Sequence, residues 1–237
     1  MQALLQQVFE RLNQAQISYC LLRDHDELVQ SKGLSEVDLL VEQRQVKRLA
    51  HALASLGFAP LPRWGYAPHH FFVADDEQAD GRIKLDVVTA LAYGKPIPLI
   101  DTDLATECLS RRRRDGAVYV PAPEAELVAL LLHCVLDKGG FSPSRRRRLL
   151  HLRQAARDAA SMNRLVKTYW SPTVSWPQLA ALIEAEDWSA LLAQSPTVAR
   201  HLTRKSRIET VALSIGRRLL RKLNRRMHVQ RVKRSIA

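Results

Sequence analysis

Two short apolar runs carry acids where a buried strand tolerates them least. The segment "SEVDLLVE" (residues 35–42) is aliphatic and β-branched enough for a buried strand, yet Glu36 and Asp38 stand one residue apart in it. Side chains alternate faces along a strand, so Glu36, Asp38 and Leu40 share one face and Val37, Leu39 and Val41 the other. Neighbouring carboxylates repel, and burying one without a partner costs several kcal/mol. The segment "RIKLDVVT" (residues 82–89) repeats the anomaly: Asp86 shares a face with Lys84 and Val88, while Leu85 and Val87 lie behind. Local rule-breaking of this kind marks functional sites. If the two strands are neighbours, the three acids converge. Divalent ions then relieve the repulsion, since Mg²⁺ favours a few carboxylates together with substrate phosphates.

The surrounding pattern is that of a small mixed sheet with helices. Leu4, Leu5, Val8, Phe9 and Leu12 recur at helical spacing over residues 2–16. A strand is expected at 18–23, the acid-bearing strand at 36–41, and a helix over 42–58 that stops at Gly57. "HHFFVA" and "RIKLDVVT" read as a hairpin joined by the acidic stretch "DDEQADG". "AVYVP" suggests one more short strand. Beyond it helices take over: a buried one running from Pro123 to the pair Gly139–Gly140, and others at 143–167 and 176–193. The expected organisation is an α+β core over 1–116, a helical region over 117–200 and a basic tail over 201–237.

Charge is concentrated in that tail. The chain of 237 residues has a net charge of +12, and residues 201–237 hold 12 Lys/Arg against one acid, Glu209. The body, with 24 basic and 23 acidic residues, is nearly neutral. Ile208, Ala212, Ile215, Leu219 and Leu223 form one helical stripe flanked by arginines and lysines. A basic amphipathic helix of this kind suits an anionic membrane surface or a partner protein through 204–234, or packs its stripe on the body. The tail lacks interleaved aromatics for base stacking, which weighs against sequence-specific nucleic-acid binding. Three cysteines, odd in number and far apart, argue for thiols in a reducing compartment. The longest apolar run, "LVALLLHCVL", is half the ~20 residues of a membrane span. A cytoplasmic protein is expected, peripheral on the inner face of the membrane if the tail binds lipid.

The acids carry a resemblance. A strand reading [DE]-h-[DE]-h-h after a strand and loop, with a third acid on a later strand, resembles the polymerase-beta-like nucleotidyltransferase superfamily; "SEVDLLVE" matches the first part and "IKLDVV" the last. "YCLLRDHDEL", "LDVVTALAYG" and "VPAPEAELVALLLHCVLDKG" are similar to an uncharacterised bacterial nucleotidyltransferase-like group, whose members sometimes accompany thymidylate-kinase-like or surface-polysaccharide proteins. The resemblance implies an α+β nucleotidyltransferase core that uses Mg²⁺ or Mn²⁺ to move a nucleotidyl group from an NTP to a hydroxyl or phosphate acceptor. It implies that Glu36 and Asp38 hold metal ions and nucleotide phosphates, and that Asp86 holds one ion and helps deprotonate the acceptor. Two departures stand out. The family's Gly-Ser, which cradles the triphosphate, is replaced by "LLRDHD", and the first acid is Glu where Asp is commoner. Arg23 is the candidate substitute clamp, with Lys84 and Lys138 as further phosphate-binding candidates. A catalytically inactive binding or tethering module is the alternative.

Plainer roles stand beside these. Glu36 is also consistent with a solvated strand end, and Asp86 with an ion pair to Lys84. His133 reads as a hydrogen-bonded core histidine, His69 and His70 as the unremarkable start of a strand. The "RRRR" runs at 111–114 and 145–148 read as solvated faces or as collectors of a phosphorylated substrate.

Overall fold

The computed structural model describes residues 3–22, 36–61, 68–76, 81–94, 100–203, 216 and 219. The described residues fall mainly into two compact units, 3–89 with 114–120 and 90–113 with 121–203. Residues 90–113 cluster with the second unit.

The first unit starts with α1 (Ala3–Gln14), whose Leu5, Val8, Phe9 and Leu12 form the buried stripe that the sequence spacing demands. Strand β1 (Tyr19–Leu21) pairs antiparallel with β2 (Glu36–Val41). A 3₁₀ turn at Gln43–Gln45 leads into α2 (Val46–Ala54), shorter than the expected helix. Its end is fixed by Gly57, at φ 81, which lets the Gly57 and Phe58 N–H groups reach the carbonyls of Ala54 and Leu53, each at 3.1 Å. Strand β3 (Ala59–Pro60) pairs with β4 (His69–Asp76), and β4 with β5 (Gly81–Val88), the expected hairpin.

The sheet order is β1-β2-β5-β4-β3. Only the central pair, β2 and β5, is parallel among these ladders. A parallel pair needs a crossover connection, supplied here by α2 and the two strands after it. One sheet face is apolar apart from His70 and Asp76 near the ends of β4. Tyr19, Leu21, Val37, Leu39, Val41, Phe72, Ala74, Ile83, Leu85 and Val87 join one buried cluster with α1 and with Leu49, Ala52 and Leu53 of α2. Truncating one such leucine to alanine costs ~2–5 kcal/mol. That face fixes the register, because a slip by one residue turns the whole apolar set outward. The acids are thereby committed to the opposite face.

The second unit contains the antiparallel pair β6 (Leu91–Tyr93) and β7 (Ile100–Thr102), followed by α3 (Leu104–Ser110). None of these three was expected from the sequence. The short pair β8 (Arg113–Asp115) and β9 (Val118–Val120), which falls with the first unit from residue 114 on, covers the expected "AVYVP" strand. The buried helix α4 (Pro123–Leu132) continues as a π turn, His133–Lys138, and stops at Gly139, φ 64. His133 Nδ1 lies 2.9 Å from Asp137 Oδ2, so it is hydrogen-bonded as expected; Asp137 also accepts the Gly94 N–H at 2.8 Å.

Both long helices expected next are broken. The first is α5 (Pro143–Ala155) followed by α6 (Ala159–Leu165), which runs into a π turn over Val166–Trp170. The second is α7 (Trp176–Glu184) and α8 (Trp188–Ala193), before α9 (Ser195–Thr203). The breaks share one cause. Asp158 and Asp187 accept the N–H groups of Ser161 and Ala190, each at 2.9 Å, and so start a new helix. Glu186, at φ 52, makes the second turn left-handed. The arginine runs are neither uniformly solvated nor unengaged. Arg148 pairs with Glu126 at 2.6 Å in a largely buried setting, and Arg111 binds Asp158 at 3.1 Å.

Cys20, Cys108 and Cys134 are buried and form no disulfide. Among the described residues no helix is long and apolar enough to cross a membrane. The expected tail helix lies outside the described residues except for Gly216 and Leu219, which are helical; Leu219 is exposed.

Candidate metal centre

The parallel pairing of β2 and β5 sets Asp38 opposite Asp86 and Glu36 opposite Lys84. Directly paired residues on one face stand side by side, so the two aspartates are neighbours for the same reason that Leu39 and Val87 are neighbours beneath them. One oxygen from each of Glu36, Asp38 and Asp86 lies within 4.8 Å of the others. The three acids proposed from sequence are thus brought into one cluster. Glu36 is exposed, Asp38 and Asp86 half-buried.

Two donors face this cluster. Lys84 Nζ donates to Glu36 Oε1 at 2.7 Å and stands 4.6 Å from the centre of the Phe71 ring. The alternative in which Lys84 pairs with Asp86 along its own strand gives way to a bond across the parallel ladder. The partner of Asp86 is instead His69, whose Nδ1 lies 2.9 Å from Oδ1. In the β4–β5 ladder Phe71 sits opposite Asp86 and His69 opposite Val88, so His69 reaches Asp86 on the diagonal. The reading of His69 as an unremarkable strand start is corrected here. The β4–β5 register, with Asp76 opposite Gly81, brings His69 beside Asp86, and that register is not legible from composition. His70 projects to the other side of β4, where burial lowers its pKa and the neighbouring His69 adds repulsion.

The Leu22 N–H donates to the Asp38 carbonyl at 3.0 Å, which holds the end of β1 beside the site. Arg23, the expected phosphate clamp, follows directly but lies outside the described residues. Lys138 is exposed at the end of the π turn in the second unit.

The donor set is oxygen-only, which suits a hard cation. Octahedral Mg²⁺ with ligands at ~2.1 Å holds oxygens no more than ~4.2 Å apart. A spread of up to 4.8 Å fits carboxylates that close slightly around one ion, or that span two.

No family model matches the chain, and no curated protein matches it. Among solved structures, that of the antibiotic-resistance factor ANT(2″)-Ia in solution is similar at a TM-score of 0.45 and 10% identity, over 78% of this chain and 95% of that one.

Proposed function

We propose that this chain is a metal-dependent nucleotidyltransferase that moves a nucleotidyl group from an NTP to a hydroxyl or phosphate acceptor. The observation that carries the reading is the convergence of Glu36, Asp38 and Asp86 on one face of two parallel strands whose other face is buried and apolar. Three carboxylates kept together at the centre of a sheet are costly unless a cation is their partner.

In this reading Glu36 and Asp38 would hold divalent ions, Mg²⁺ or Mn²⁺, together with the nucleotide phosphates. Asp86 holds one ion and receives the acceptor proton. Ions held there would supply Lewis-acid stabilisation of the attacking oxygen and of the departing pyrophosphate. The acceptor oxygen forms its bond to the α-phosphorus as the bond to pyrophosphate breaks. Lys84, turned away from Glu36, offers its ammonium to a phosphate oxygen, and Arg23 and Lys138 are the further phosphate-binding candidates. Surface-polysaccharide metabolism is the proposed setting for the acceptor, and the basic tail the proposed contact with an anionic membrane or partner protein.

One observation favours a second reading. Lys84 already neutralises Glu36 at 2.7 Å, as a built-in cation would in an inactive binding or tethering module. The missing Gly-Ser in "LLRDHD" points the same way. Incubation with each NTP, Mn²⁺ or Mg²⁺ and a small-metabolite extract separates the two. Pyrophosphate release that requires the metal and is lost in Asp38→Asn and Asp86→Asn supports the enzyme. Mn²⁺ binding with no turnover of any NTP supports the module.

A further inference from the structure

We infer that His69 is a positioning residue that sets Asp86 in its metal-holding orientation through Nδ1. The inference rests on the metal-site reading above and adds to it a residue outside the carboxylate set. The Nδ1···Oδ1 separation is 2.9 Å, with side-chain exposures of 35% for His69 and 14% for Asp86. An ionised carboxylate only accepts, so Nδ1 carries the hydrogen, and a donor to a charged oxygen makes the stronger class of hydrogen bond.

The ring is itself held. It lies 6.1 Å from the Phe71 ring, tilted by 36°, and Phe71 is the residue directly opposite Asp86 across the β4–β5 ladder. The hairpin therefore fixes three things in a chain: the Phe71 ring, the His69 ring against it, and the Asp86 carboxylate against His69. A carboxylate tied at one oxygen has lost most of its side-chain freedom before any ion arrives, which lowers the cost of binding. Partners that orient a ligand in this way typically contribute 10–100-fold in metal affinity.

His69 has no comparable task in the core. The buried cluster lies on the opposite sheet face and His69 is not part of it. Its neighbour His70, on that other side of β4, makes no bond to Asp86 among the contacts described.

The test is Mn²⁺ titration of the full chain, followed by the paramagnetic signal of the free ion, in three variants. His69→Asn presents an amide N–H where Nδ1 was and keeps Mn²⁺ affinity within about threefold of the parent. His69→Phe keeps a ring but no donor and loses 10–100-fold. His69→Gln, whose amide reaches the Nε2 position instead, behaves like His69→Phe and serves if that variant fails to fold. Equal affinity in the parent, His69→Phe and His69→Gln overturns the inference, as does an equal loss in all three variants. If the parent takes up Mn²⁺ and Asp38→Asn does not, either failure belongs to His69 alone. A parent that takes up no Mn²⁺ overturns the metal site and this inference together.

Discussion

Replacing Lys84 with methionine sets two roles of one side chain against each other. Lys84 bonds Glu36 at 2.7 Å and lies over Phe71 at 4.6 Å, with side-chain exposures of 34% for Lys84 and 50% for Glu36. An ion pair this open to water is worth ~0.2–1 kcal/mol. Methionine retains most of the apolar stem that covers Phe71, so the loss is mainly the charge. Without metal, the variant loses up to ~1 kcal/mol, a drop in melting temperature of ~2–4 °C for a chain of this size. For metal binding the sign reverses. An ion that recruits Glu36 must displace the ammonium, so removing the ammonium raises affinity for Mn²⁺ alone by about 1.4- to 5-fold. Affinity for the Mn²⁺–NTP complex moves the other way, because the ammonium that turns to the phosphates is gone. Calorimetric titration with Mn²⁺, then with Mn²⁺ and a non-hydrolysable NTP, reads both. Unchanged or weaker Mn²⁺ binding in Lys84→Met would refute competition at Glu36, and unchanged nucleotide affinity would remove Lys84 from phosphate binding.

Two further outcomes are expected. Asp158 is held below its ordinary carboxylate pKa of 3.8, chiefly by the Ser161 N–H and then by Arg111, so its contribution is present above that pH and lost as pH falls through the folded value; Asp158→Ala should lower the melting temperature at pH 7, and the difference from the parent should shrink progressively as pH falls below 3.8. The full chain should sediment with anionic vesicles at low salt and release at high salt, each basic residue near the surface contributing ~1 kcal/mol, while a chain ending at Thr203 stays folded and unbound; equal binding to neutral vesicles would refute the electrostatic basis.

The sheet and its acids were legible because both rest on the period of two. Val37, Leu39, Leu85 and Val87 are buried, and their alternation put Glu36, Asp38 and Asp86 on the other face before any pairing was known. The hairpin was legible from its polar interruption. What could not be read was register: which residue of β4 stands beside Asp86 depends on the loop after Asp76, and so the His69 contact was missed. The same limit hid the Lys84 partner, since spacing along one strand says nothing of a bond across a parallel ladder. Helix breaks escaped for a different reason. "RDAAS" and "EDWSA" keep the apolar spacing of a continuous helix, and only the capping geometry of Asp158 and Asp187 ends one segment and begins another. The pair β6–β7 is only three residues per strand and too short to show a period.

The central claim is that Glu36, Asp38 and Asp86 exist together to hold a divalent ion beside a nucleotide. Thermal unfolding of the parent and of Asp38→Asn, each without additions, with Mn²⁺ alone and with Mn²⁺ plus a non-hydrolysable NTP, tests it most directly. A ligand at one hundred times its Kd stabilises by ~2.7 kcal/mol, or about 5–11 °C here. The account predicts a gain of that size in the parent, largest with both additions, and none in Asp38→Asn. No gain in the parent, or the same gain in both proteins, would contradict it.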